Sequence, residues 1–147
     1  AYLLHVLGVV VWVGGMFFAY LALRPVAASV LEPPQRLTLW AGVFDKFFPW
    51  VWLSVALILA TGLHLLMVLG GLAAPHHALA MLALGIVMML IFGHVYFAPY
   101  RKLKRAVAGQ DWKAGGAALG QIRQLIGINL ILGLVTIAVV FVGRALG

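Results

Sequence analysis

Residues 4–25 read LHVLGVVVWVGGMFFAYLALRP. No charged side chain interrupts the run until Arg24, and about 20 apolar residues are what an α-helix needs to cross the hydrocarbon of a bilayer. Three more stretches have the same character. The spans expected are 1–23, 47–69, 77–98 and 122–142. The whole chain agrees: of 147 residues, 65% are hydrophobic and 9% charged, where a soluble domain averages about 45–50% and 25%. In lipid every backbone N–H and C=O must be satisfied within the protein, which leaves helices here. The sequence therefore predicts an all-α, four-helix membrane bundle forming one domain over residues 1–147. The chain opens inside the first span without a charged leader. Either residues precede Ala1 or the numbering starts late, and nothing there reads as a cleavable signal peptide.

Composition also excludes chemistry. There is no cysteine, so disulfides, thiolate ligands and thiol nucleophiles are out. The only acids are Glu32, Asp45 and Asp111, and no two fall within a span to form a carboxylate pair. A net charge of +7 reads as loops facing anionic lipid rather than as a nucleic-acid surface. Its distribution sets the topology. The first connection carries Arg24, Arg36 and Lys46, and the third carries Arg101, Lys102, Lys104, Arg105, Lys113 and Arg123. The second, GGLAAP, carries none. By the positive-inside rule the first and third connections are cytoplasmic, and both termini and the short loop face outward, as in a bacterial inner membrane. Arg144 is the exception.

The first connection is expected to hold its own helix. Pro33 and Pro34 suit a helix start. Leu37, Trp40, Phe44, Phe47 and Phe48 then recur at helical spacing, which predicts an amphipathic helix lying on the inner surface. Trp40, Phe47, Phe48, Trp50 and Trp52 would make an aromatic belt. In the third connection Pro99 ends or kinks the third span.

The polar groups worth following are five histidines: His5, His64, His76, His77 and His94. An ionisable ring at membrane depth is costly and needs a partner, a cavity or a ligand. At about 1.5 Å of rise per residue, His5, His64, His76 and His77 converge near the outer face, and His94 lies alone near the inner one. Methionines accompany the outer group. Met67 follows His64 by three residues and Met81 follows His77 by four, so each pair shares a helix side. His5, Trp12 and Met16 form one stripe, and Met81 and Met88 another. Imidazole with thioether suits copper, above all the cuprous ion. Two imidazoles on facing helices equally suit haem b. Plainer roles compete. His64 has Thr61 one turn away as a hydrogen-bond partner. His94 has Asn129 at similar depth, unless an inner site for an anionic headgroup, a quinone or a porphyrin propionate forms from His94, Tyr96, Tyr100, Arg24 and Asn129. Gly8, Gly14, Gly15, Gly127 and Gly133 permit close helix approach.

The first span, with His5, Trp12, Gly14, Gly15, Phe17, Arg24 and Pro25, resembles the opening helix of the CopD-type membrane proteins. FPWVWLSVALILATG (48–62) is similar to that family's second helix. GHVYFAPYRKLKRAV (93–107) resembles the end of the third helix in CopD-like proteins and in the HemJ-type protoporphyrinogen oxidases. The resemblance implies a four-helix domain linked to copper handling or, on the HemJ side, to haem b and porphyrin oxidation, with His5 and His94 at family histidine positions. Three readings follow. The first is an outward-facing copper site on His5 and His64, with Met67, Met81, His76 and His77 as secondary ligands and Met16 and Met88 as deeper contacts. The second is a haem b redox protein with His5 and His64 as axial ligands. The third is an accessory subunit of a larger membrane complex or homo-oligomer, its histidines serving packing.

Overall fold

A computed structural model describes residues 2–146. The first rod is α1 (Tyr2–Phe18), a π-helical turn (Ala19–Leu23) and α2 (Arg24–Val30) in unbroken succession. It is followed by α3 (Pro33–Val68), a short 3-10 turn (Gly71–Ala73), α4 (His76–Phe97), α5 (Pro99–Ala108) and α6 (Trp112–Leu146). Among the described residues four helices are long and apolar enough to cross a membrane. Among the described residues no strand occurs, as the apolar periodicity predicts. The first rod lies on α3, α4 and α5 lie on α6, and lesser contacts of α3 with α4, α5 and α6 close the bundle.

Local chemistry sets each boundary. Pro33 and Pro34 occupy the first turn of α3, where a missing N–H costs nothing. Gly70, at φ 109°, turns the chain after α3 in the left-handed region that only glycine enters freely. Pro75 precedes α4. Ala98, held out of the α region by Pro99, breaks α4 from α5 at φ −121°, ψ −85°. Asp111 caps α6 by accepting the backbone N–H of Ala114 at 3.1 Å.

The π turn has a legible cause. Pro25 follows it and has no N–H. In the π register Arg24 N–H reaches back to the Ala19 carbonyl. The Tyr20 carbonyl would then look to residue 25, which has nothing to donate. The Arg24 side chain supplies the missing donor: its Nε bonds Tyr20 O at 3.1 Å.

The expected surface helix is corrected. Residues 33–46 do not lie separately on the membrane; they are the first turns of α3, continuous with the second span. Nothing between them and the span stops a helix, and Pro49 is accommodated within it. At 36 residues, α3 is about 54 Å long at 1.5 Å per residue, well over the roughly 30 Å of hydrocarbon. Its basic end therefore projects. There Leu37, Trp40, Phe44 and Phe48 are buried. Phe44 stacks on Phe48 at 4.8 Å, and Tyr100 meets Phe48 edge-on at 4.8 Å. The belt is corrected with it: Trp40 and Phe48 are core, Phe47 and Trp52 are half-buried, and Trp50 alone of the five is 60% exposed. Asp45, on the same projecting part of α3, accepts the Tyr100 hydroxyl and pairs with Lys104 at 3.3 Å. That joins α3 to α5.

Candidate functional site

The buried face of α1 is the stripe His5, Trp12, Met16. Trp12 and Met16 are each 3% exposed, and His5 is half-buried. The opposite faces carry lipid-exposed Val10, Phe17 and Phe18. His5 points into the contact between α1 and α3. Its Nδ1 lies 3.0 Å from the Thr61 hydroxyl, and a Cβ on Gly62 would sit 3.2 Å from its Cε1. Thr61 donates its own proton back to the Leu57 carbonyl. With that proton committed to Leu57, the tautomer is assigned with the ring proton on Nδ1, accepted by the Thr61 oxygen, and the lone pair on Nε2. A donor bond from the far nitrogen is how proteins orient a histidine that ligates a metal.

Deeper in the bundle, Met88 of α4 is buried. Its carbonyl accepts the Asn129 amide of α6 at 3.1 Å. Asn129 is 3% exposed, and no donor among the described residues reaches its Oδ1. A void of about 10 Å³, edged by Trp12, Met16, Phe92 and Asn129, adjoins it. Trp12 and Phe92 meet edge-on at 6.3 Å. The bundle interior between α1, α4 and α6 therefore holds two thioethers and one amide among aromatic rings.

The remaining expected residues lie elsewhere. His64 and Met67 are exposed on α3, Met67 at 77%. Thr61, expected to serve His64, serves His5 instead, because α3 is rotated so that Thr61 and not His64 faces α1. His76 is exposed. His77 is half-buried, packed so closely against Gly143 that a Cβ there would collide with its own. Met81 is half-buried. The expected His94–Asn129 pair does not form. His94 faces outward and Asn129 bonds the Met88 carbonyl, so the alternative inner site is not assembled either. Among the described residues no three His, Cys, Asp or Glu side chains gather as a metal cluster. At His5, α1 and α3 are in direct side-chain contact, which leaves no slot for a macrocycle between them.

A second polar region takes Arg24 from the expected inner site and its other members from elsewhere in the chain. At the basic end, a cleft of about 280 Å³ opens between the first rod, the start of α3 and α6. Arg24, Arg36 and Arg123 line it together with Tyr20, Trp40 and Trp112. The signal in the sequence was the Arg24–Pro25 pair and a set of arginines with hardly an acid to answer them.

The fold and its four apolar helices define a multi-pass integral membrane protein. The family model for copper resistance protein D matches residues 41–142, from the first turns of α3 into the last turns of α6, and the chain belongs to that family. The matched region excludes α1 and thus His5, Trp12 and Met16. No curated protein and no solved structure matches the chain. Family membership ties the protein to copper resistance.

Proposed function

We propose that the protein takes up cuprous copper at the loop end of the bundle and passes it inward along the α1 stripe. His5 is the first inward-facing ligand and offers Nε2. Met16 and Met88, buried thioethers, receive the ion deeper in the bundle, as soft ligands suit a soft cation. Histidines 64, 76 and 77, with Met67 and Met81, ring the outer surface as secondary contacts that raise the local concentration of metal. By the distribution of Lys and Arg, the loop end and both termini face outward across a bacterial inner membrane. The observation that supports the reading is the His5–Thr61 contact at 3.0 Å, which orients the imidazole at the helix contact and, by the assigned tautomer, leaves Nε2 to make a ligand bond.

The test is uptake of cuprous copper into proteoliposomes by the wild type, His5→Ala and Met16→Leu. Uptake falls in both variants while their stability holds. Unchanged uptake in both overturns the assignment. A Soret band in protein purified from haem-replete cells, lost on His5→Ala, would replace it with the haem reading.

A further inference from the structure

The cleft at the basic end has no part in the copper path proposed above. Three arginines line it, Arg24, Arg36 and Arg123, and among the described residues no acidic residue does. Among the described residues none of the three pairs with an acid, whereas Asp45 is committed to Lys104 and Tyr100. Like charges gathered without a counter-ion repel one another, and an anion between them relieves this.

Two of the three are tethered. Arg24 bonds the Tyr20 carbonyl through Nε and lies 4.4 Å over the Tyr20 ring, which leaves its terminal amino groups for a ligand. Arg36 bonds the Ala28 carbonyl through Nη1 at 3.4 Å. Held forks of this kind suit the tetrahedral oxygens of a phosphate. π turns recur at functional sites, and this one places Tyr20 and Arg24 in the wall. Trp40 and Leu37 make the rest of the lining largely apolar. The cleft lies at the basic end of the bundle, and Leu21, next in sequence to its lining residue Tyr20, is 52% exposed. Its volume, about 280 Å³, is at the low end for a ligand pocket and fits a headgroup rather than a large cofactor. Basic pockets between transmembrane helices take anionic lipid headgroups on general electrostatic grounds.

We propose that this cleft binds one anionic phospholipid, its phosphate held by Arg24, Arg36 and Arg123 and its acyl chains lying on the adjoining apolar surface of the first rod.

The experiment is native mass spectrometry and thermal unfolding of the delipidated full chain, titrated with phosphatidylglycerol, phosphatidylcholine or inorganic phosphate. The wild type is expected to retain one phosphatidylglycerol at least tenfold more tightly than phosphatidylcholine. Arg36→Gln with Arg123→Gln abolishes that preference, and Arg36→Lys with Arg123→Lys keeps part of it, which separates lost charge from lost fold. Lys102→Gln, an exposed cation outside the cleft, changes nothing. Equal retention of the two lipids by the wild type overturns the proposal, as does an unchanged preference in the double glutamine variant. Displacement of the lipid by equimolar inorganic phosphate overturns the lipid as occupant and leaves a small-anion site.

Discussion

Replacing Asn129 with leucine tests the bundle interior more sharply than any other single change. Asn129 is 3% exposed. Its amide nitrogen bonds the Met88 carbonyl at 3.1 Å, while its carbonyl oxygen has no donor among the described residues. The variant forfeits the interhelical bond, worth about 0.6 kcal/mol on average and about 1.7 at most in membranes. It also removes a buried unpartnered carbonyl, which costs about 1–3 kcal/mol. Met88 lies within α4, so its carbonyl keeps its helical partner. The void of about 10 Å³ beside residue 129 gives the branched side chain some room. The terms favour the variant, and Asn129→Leu should stabilise the fold by about 1 kcal/mol. Asn129→Ala leaves a cavity instead and should fall about 2 kcal/mol below the leucine variant. Equilibrium unfolding by dodecyl sulfate in mixed micelles, followed by far-UV circular dichroism, reads both values. A leucine variant less stable than wild type by more than about 1.5 kcal/mol would refute the argument, because Oδ1 would then have to be engaged. A leucine variant that is stabilised yet defective in copper uptake would place the amide on the path of the ion.

Other consequences are more local. Thr61→Val removes the acceptor that orients His5 and should lower copper affinity about 10–100-fold at pH 7, read by competition with a cuprous chelator; unchanged affinity would show that packing alone holds the ring. Gly127→Ala drives a methyl to 2.9 Å from Tyr20 Cε2 and should cost about 1–3 kcal/mol by overpacking. Gly14→Ala, with nothing within 4 Å, should leave unfolding midpoints unchanged or slightly raised, since alanine favours a helix by about 1 kcal/mol. Lys104→Ala breaks a half-exposed pair with Asp45 and should cost no more than about 1 kcal/mol at low salt, and less at high salt.

The spans were legible because length and apolarity alone specify a membrane helix. Helix rotation was not. Thr61 and His64 are both polar and lie one turn apart, and only the packing of α1 on α3 decides that Thr61 turns inward and His64 outward. The stripe His5–Trp12–Met16 could be read because its spacing fixes a shared face whatever the rotation, and the structure buries that face. The aromatic series from Leu37 to Phe48 has a pattern that suits equally a helix on a membrane surface and one packed on protein. What distinguishes them is α5, which folds back to cover it, and no residue between 33 and 48 announces that. The arginine cleft was hidden for a different reason. Arg24, Arg36 and Arg123 come from three segments; Arg24 was expected in a different inner site, and Arg36 and Arg123 each alone read as charges that orient the chain in the membrane.

The π turn of residues 19–23 acts as a vernier between two halves of one rod. One extra residue per turn advances the face by about 100°. The half bearing His5 and Met16 and the half bearing Arg24 and Ala28 therefore keep separate registers. A straight α-helix would carry Val26 and Val30 toward the bundle, yet these are 57% and 71% exposed, while Ala27 is buried and Arg24 faces the cleft. Deleting a single residue between 19 and 23 would bring the halves into one register. The buried stripe of α1 would stay where it is, and Arg24 would swing out of its cleft. The two ends of the rod can thus diverge independently, with changes at one leaving the orientation of the other intact.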